Sequence, residues 1–176
     1  FNESWYAGET AITAIGQGFT LVTPLQLANA TAKLANPSLS IKPHLLLSID
    51  GIQQEKQEVK EKKQSYSDEI LKWVKTGMVN VTKEGGTAAF LGRKSDYQMA
   101  SKTGTAQVFG LKKDQEYNED ILPDKLKDHA LFITYAPAID PEIVIAVIVE
   151  NGGHGGSVAG PIAKEVLDAY LINKKL

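Results

Sequence analysis

The sequence predicts an α/β protein of the α+β type, an antiparallel sheet flanked by helices, and three observations predict it. Residues 130–135 and 143–149 are β-branched and aromatic runs joined by Ala136-Pro-Ala-Ile-Asp-Pro-Glu142, which reads as an antiparallel hairpin with a loop of about five to seven residues. Both runs are nearly continuous in apolar residues, so the sheet they build has to be covered on both faces. Stretches opening near Thr23, Ser67 and Ala159 carry helix signals and supply the cover.

In chain order, residues 1–23 hold Trp5, Tyr6 and a Gly16-Gln17-Gly18 step without a sustained period. They are expected to form a loop with one short strand, packed through its aromatics. Thr23-Pro24 then opens a helix, Thr as N-cap and Pro at the first helical position. The apolar residues Leu25, Leu27, Ala28, Ala32, Leu34 and Ala35 follow, and Asn36-Pro37 ends it. Residues 41–49 read as a strand, Asp50-Gly51 as a hairpin turn and Gln53–Val59 as a polar return strand, together an exposed two-stranded flap. A charged connector (55–64) leads to a second helix from Ser67 to about Thr82, with Ile70, Leu71, Val74, Met78 and Val81 at helical spacing. Gly85-Gly86 breaks it, a short apolar piece (88–91) follows, and a turn (93–96) enters the next strand. The polar excursion 110–128 is too long and too charged for a hairpin turn and reads as a lid or a disordered loop. A glycine-rich turn, 151–156, leads into a last helix over about 159–172, with Val166, Leu167, Tyr170 and Leu171 on its buried side.

Composition narrows the function. With 176 residues, 43% of them hydrophobic, the chain is long enough for one ordinary core. Nineteen basic and 21 acidic side chains give a net charge of -2, and the basic pairs are scattered, which argues against a nucleic-acid partner. No run approaches the ~18 apolar residues of a membrane span, and the N-terminus has neither the charge nor the apolar core of a signal peptide, so the chain is expected to be soluble. The absence of cysteine excludes disulfides, thiol catalysis and thiolate metal sites. His44, His129 and His154 lie far apart without ligand spacing, so no metal is expected. His129, beside Asp128, is better read as a local structural histidine than as a general base. The glycine-rich turn lacks the Lys-Ser/Thr end of a phosphate loop and reads as a tight strand-to-helix connection. No cofactor is implied.

The stretch that carries chemistry is Met99-Ala-Ser-Lys-Thr-Gly-Thr-Ala-Gln-Val-Phe109, a strand whose middle has lost its bulk. A glycine within a strand is expected where another backbone comes close. Beside Gly104 stand the cation Lys102 and the hydroxyls of Thr103 and Thr105. That set suits a carboxylate-bearing peptide laid along a sheet edge. A Lys-Thr-Gly tripeptide arises by chance in roughly 2% of chains this long, so its flanks decide. A serine acyltransferase of this pattern would add Ser-x-x-Lys and Ser-x-Asn. None of Ser4, Ser38, Ser40, Ser48, Ser65, Ser67, Ser95, Ser101 and Ser157 has Lys three residues on or Asn two residues on.

The flanks show a resemblance. Gly16-Gln17-Gly18 with Thr23-Pro24-Leu25-Gln26-Leu27-Ala28, then Ser101-Lys-Thr-Gly-Thr-Ala-Gln-Val108, then Asp128-His129-Ala130 with Tyr135-Ala136-Pro137, then Glu150-Asn-Gly-Gly-His-Gly-Gly-Ser157 resemble, in order and spacing, the C-terminal part of class B penicillin-binding proteins. The elongation type is the nearer likeness, rather than the division-specific type. The resemblance covers essentially the whole chain, 1–176. It implies a partial penicillin-binding/β-lactamase-like fold and a peptidoglycan DD-transpeptidase: serine attack on the D-Ala-D-Ala end of a stem peptide, release of D-Ala and acyl transfer to an amine. β-Lactams acylate the same serine. By resemblance Lys102 relays protons and supplies positive potential, Thr103 and Thr105 hold the terminal carboxylate beside Gly104, and the Thr105 N–H forms half of the oxyanion hole.

The chain departs from the family in lacking the nucleophile. It is expected to be a domain cut after Ser-x-Asn and inactive alone, with the parent anchored in the bacterial inner membrane, this domain periplasmic, and a lipid-II-polymerising glycosyltransferase as partner. The strand 143–149, deprived of its usual neighbour, is expected to self-associate. The rival readings are a non-catalytic peptidoglycan- or partner-binding relative and another serine enzyme of the superfamily, a β-lactamase or carboxypeptidase. The Thr23-Pro24-Leu25-Gln26 block argues against a β-lactamase.

Overall fold

The computed structural model describes residues 4–18, 20–38, 42–53, 66–108 and 122–172. Its elements are α1 (Ala7–Ala14), α2 (Pro24–Ala35), β1 (Ser48–Ile49), β2 (Ile52–Gln53), α3 (Asp68–Asn80), α4 (Ala89–Gly92), β3 (Ala100–Ala106), β4 (His129–Ala136), β5 (Ile143–Val149) and α5 (Ala159–Leu171). The main sheet has the order β3-β4-β5 and is antiparallel throughout. Its register runs from Ala100↔Tyr135 to Ala106↔His129 on one side of β4 and from Ala130↔Val149 to Ala136↔Ile143 on the other.

Both faces of the sheet are covered, as the apolar runs require. On one face Met99, Phe132 and Ile145 pack with Leu91 of α4 and Ala159, Ala163 and Leu167 of α5. On the other, Ala100 and Tyr135 pack with Ala35 of α2 and Met78 of α3. The covering helices begin where their caps dictate. Thr23 Oγ1 accepts from the Gln26 N–H at 3.2 Å while the Gln26 side chain accepts from the Thr23 N–H at 2.8 Å, a capping box with Pro24 in the first turn. Ser67 Oγ accepts from the Ile70 N–H at 3.3 Å, and Asp68 and Glu69 complement the positive end of α3. The Lys75 ammonium donates to the Ala35 carbonyl at 2.8 Å, tying α3 to the negative end of α2. Helix α5 has no side-chain cap; its first turn is closed by Gly160 N–H donating to Gly155 O at 3.0 Å.

Small residues let α5 approach the sheet. A Cβ on Gly160 would lie 2.8 Å from Leu91 Cδ1 and 3.4 Å from Phe132 Cε2. The residues α5 buries are Ala159, Gly160, Ala163 and Leu167. Val166 and Tyr170, expected on the buried side, are instead 47% and 37% exposed, because the face with the smallest side chains makes the closest contact. The far end of α5 is clamped to the segment entering β3. The Tyr97 hydroxyl donates to Asp168 Oδ1 at 2.7 Å, and Lys164 Nζ donates to Asp168 Oδ2 at 2.6 Å.

The turn preceding α5 is held by its neighbours. Asn151 (φ 54°) and Gly153 (φ 76°) adopt left-handed backbone. The Asn151 N–H donates to His129 Nδ1 at 2.9 Å, its side-chain amide donates to Lys127 O at 2.9 Å, and Gly153 N–H donates to Asp128 O at 2.8 Å. His129 is therefore a structural residue whose Nδ1 is an acceptor, and the glycine-rich stretch is a tight strand-to-helix connection.

Other expectations are corrected. Residues 7–14 form α1 and not a loop with a strand: Glu9 reaches back to accept from the Tyr6 N–H at 2.7 Å, and Ala7, Ala11 and Ala14 favour helix. The helix buries nothing, and Trp5 and Tyr6 stay 61% and 63% exposed, Trp5 Nε1 donating to Thr10 Oγ1 at 2.8 Å. The flap's turn is made by Asp50 and Gly51, both at positive φ, and among the described residues Ser48–Ile49 pairs with Ile52–Gln53; the rest of the expected return strand, 54–59, lies outside the described residues. Residues 42–47 are not strand; the connector 55–64 and residues 110–121 of the excursion 110–128 lie outside the described residues, and within the rest of the excursion Asp124–Leu126 form a 3-10 turn. Helix α3 ends at Asn80, and of its expected core only Leu71 and Met78 are buried, with Ile70 53% and Val74 43% exposed.

Two measurements check this fold. Burial, then the hydrogen bond to Asp168, pushes the Tyr97 phenol above its ordinary value of about 10. The unfolded chain releases that proton near pH 10 while the folded chain keeps it, so above about pH 10 the unfolded state binds fewer protons and stability falls as pH rises. Urea titrations between about pH 9 and 11 are expected to show this loss in the parent sequence and a smaller loss in Tyr97→Phe; equal slopes would contradict the clamp. For His129, nitrogen NMR of the neutral ring is expected to show the proton on Nε2, and a proton on Nδ1 would refute the bond from Asn151.

Candidate active site at the outer edge of the sheet

Lys102, Thr103, Gly104 and Thr105 lie on β3, which among the described residues is an edge strand of the sheet, so one side of their backbone faces away from β4. Strand alternation divides their side chains between the faces. Ala100, paired with Tyr135, belongs to the α2/α3 face, and Lys102 follows two residues on. Met99 belongs to the α5 face, and Ser101, Thr103 and Thr105 follow it there. Lys102 is exposed, and its ammonium donates to the Thr103 carbonyl at 2.5 Å.

Gly104 is where a second backbone closes in. An added Cβ on Gly155 would stand 2.2 Å from Leu131 O, 2.3 Å from Gly104 O and 3.1 Å from Gly104 N. Gly104 and Leu131 are register partners, so these atoms lie in the gap between the two strands, and the Gly104 N–H and C=O face β4. The main-chain groups of Thr103 and Thr105 therefore face the outer edge, in agreement with the Lys102 contact on Thr103 O. An outward N–H at Thr105 beside an exposed cation and hydroxyl has the chemistry to grip an anionic, extended ligand.

Beyond Thr105 the strand borders a cleft of about 440 Å³. Thr105–Val108 form one wall, and Gly16, Gln17, Gly18, Thr20 and Leu21 the other. Gly16 and Gly18 have φ of 79° and 84°, so the loop that presents Gln17 to the strand depends on two glycines. Sequence reasoning placed Gln17 in a loop without linking it to Thr105. The signal was the pair of glycines around one polar residue.

The serine next to the cation is excluded as its partner. Ser101 is fully buried and donates its hydroxyl to Thr134 Oγ1 at 2.9 Å, on the face opposite Lys102. His44, His129 and His154 stand on three separate segments. Asp128 is buried, 6% exposed, next to His129.

Comparison with known proteins accounts for this arrangement. Residues 1–168 match the family described as penicillin binding protein transpeptidase domain. The peptidoglycan D,D-transpeptidase MrdA of Haemophilus influenzae is 40% identical over 183 aligned positions, covering 100% of this chain and 28% of that protein. The crystal structure of Pseudomonas aeruginosa PBP2 in complex with WCK 5153 superposes with a TM-score of 0.74 at 40% identity, over 96% of this chain and 35% of that one. The ceftriaxone acyl-enzyme complex of penicillin-binding protein A from M. tuberculosis superposes with a TM-score of 0.69 at 31% identity, over 91% of this chain and 35% of that one. The chain thus spans less than a third of the length of the transpeptidase MrdA that it matches. With its antiparallel sheet, its flanking helices and Lys102-Thr103-Gly104 on the open edge, this chain belongs to the penicillin-binding protein transpeptidase family.

Proposed function

We propose that these 176 residues are the C-terminal part of a peptidoglycan DD-transpeptidase domain and supply the substrate-gripping half of its active site. The observation that carries the reading is the open outer edge of β3, with Lys102 exposed and Thr105 in the wall of a cleft. A stem peptide ending in D-Ala-D-Ala lies along that edge and pairs with the main chain. Its carboxylate meets the hydroxyls of Thr103 and Thr105 beside Gly104, and Lys102 supplies positive potential and a proton relay. The Thr105 N–H is one oxyanion-hole donor, worth about 3 kcal/mol of barrier once a tetrahedral centre forms on a serine. That serine comes from outside this sequence, which has no Ser-x-x-Lys or Ser-x-Asn. β-Lactams take the same position, and the acylated relative from M. tuberculosis supports this.

The parent on this reading is an inner-membrane enzyme with this domain in the periplasm, working beside a lipid-II-polymerising glycosyltransferase. Among the described residues no helix is long and apolar enough to cross a membrane. The activity test is intact mass after incubation with excess benzylpenicillin. The chain alone is expected to stay unmodified, and the full-length protein to gain one adduct, formed at least about 100-fold more slowly in Lys102→Met. An adduct on the chain alone would overturn the assignment of roles.

The fragment is also proposed to associate with itself through β5. Among the described residues that strand pairs only with β4, and its free side carries the run Ile143-Val-Ile-Ala-Val-Ile-Val149, of which Ile148 is 42% exposed. An apolar edge of this kind templates pairing with another chain. Sedimentation velocity of the fragment over a concentration series is expected to show dimers or larger species, reduced when Val147→Lys is introduced; a monomer throughout would refute it.

A further inference from the structure

We propose that Gly155 is a positioning residue for the Lys102-Thr103-Gly104-Thr105 strand, setting the place of the Thr105 N–H from behind. Three observations carry it. Gly155 is buried, and any side chain there would be driven into backbone, 2.2 Å from Leu131 O, 2.3 Å from Gly104 O and 3.1 Å from Gly104 N. No side-chain rotation relieves a contact whose partners are all main-chain atoms. Gly155 is itself fixed, because its carbonyl accepts the Gly160 N–H that closes the first turn of α5, and the preceding residues are held by His129, Lys127 and Asp128. Its neighbour Gly156 extends the same support, with an added Cβ only 3.3 Å from Thr103 Cγ2 and 3.3 Å from Thr87 O.

The turn is thus a flat plate between α5 and the ladder at Gly104. One methyl group on it has to push β3 outward or lift the end of α5, and the helix is anchored through Leu167 and the Tyr97 clamp. Displacement of β3 by a fraction of an ångström moves the Thr105 N–H off the position of a developing oxyanion, whereas the weaker demands of initial binding tolerate it. Gly152 provides the control. An added Cβ there meets Val149, 2.9 Å from Cγ1 and 3.1 Å from its carbonyl, so it strains the same turn without touching β3.

The inference rests on the transpeptidase reading, and its test uses the full-length protein with a chromogenic β-lactam, resolving the non-covalent dissociation constant from the first-order acylation rate. Gly155→Ala is expected to slow acylation at least about tenfold while the dissociation constant changes by less than about threefold. Gly152→Ala is expected to acylate within about twofold of the parent at a comparable loss of melting temperature. Gly156→Ala is the milder probe, with an expected loss of about two- to fivefold, and the loss should shrink when measured in a Thr103→Ser background, which removes the methyl it meets. Normal acylation by Gly155→Ala, or equal losses in Gly152→Ala and Gly155→Ala, overturns the proposal. If Gly155→Ala does not fold, Gly156→Ala with and without Thr103→Ser decides it by the same criterion. A parent protein that is not acylated at all refutes the transpeptidase reading instead, so the two failures are distinct.

Discussion

Phe132 and Tyr135 point to opposite faces of β4, each with 1% exposure or less, and most of the architecture follows from keeping both there. Burying the Phe132 ring contributes roughly 2–3 kcal/mol by removal from water, but only where packed atoms cover it, and Tyr135 gains less because its buried hydroxyl has no hydrogen-bond partner among the described residues. A central strand buried on both sides needs a helical layer on each. Helices α2 and α3 supply one, and α4 and α5 the other. Hydrogen bonding then requires a strand on either flank of β4, filled by β3 and β5. Among the described residues no strand pairs with the outer side of β3, the strand that carries Lys102, Thr103 and Thr105.

An edge strand is a poor place for precise chemistry unless something fixes it from the inner side, since half of its main-chain groups have no partner within the sheet. Here the fixing element is backbone on backbone. The glycine turn before α5 meets the ladder at Gly104, while Ser101 and Thr134 join the same two strands by a buried hydroxyl pair further along. The requirement falls on Gly155, whose added Cβ would meet Gly104 main chain, whereas one on Gly104 would meet Leu131 Cβ at 3.2 Å and no atom of the turn. The turn in turn depends on His129, whose ring nitrogen takes up an N–H that would otherwise be unpaired in a left-handed segment.

What could be read from the sequence followed from local physics. Thr23-Pro24 with Gln26, Ser67, the Asp50-Gly51 turn, the two apolar runs and the Lys-Thr-Gly strand each carry their signal within a few residues, and all appear where expected. Three features escaped for identifiable reasons. Helix α1 buries no residue, so no apolar period announces it. On α5 the large side chains Val166 and Tyr170 drew attention, whereas Ala159, Gly160 and Ala163 make the contact, because close approach selects for small residues and not for hydrophobic bulk. Gln17 and Gly155 are tied to the motif only through space, by partners far away in the chain. A second backbone does meet Gly104, but at its main-chain atoms and from Gly155, not in the space its missing side chain leaves, which faces Leu131 Cβ.

The same strand geometry limits where a nucleophile for this site can stand. A hydroxyl that exchanges a proton with Lys102 has to lie on the α2/α3 face or at the outer edge, since the ammonium projects from that side of β3. Ser101 is adjacent in sequence yet on the wrong face, and its hydroxyl is committed to Thr134. Ser157 sits in the glycine turn on the α5 side and donates to His154 O at 3.3 Å. Consecutive residues of a strand keep to opposite faces in every register, so no slide of β3 brings Ser101 to Lys102, and a one-residue slip that carried Lys102 to the α5 face of Ser157 would carry Met99 out of the core cluster it shares with Phe132. The fold therefore holds its cation apart from the hydroxyls of Ser101 and Ser157 and toward the outer edge of β3, which is the arrangement the proposed function requires of a site whose nucleophile is not among these serines.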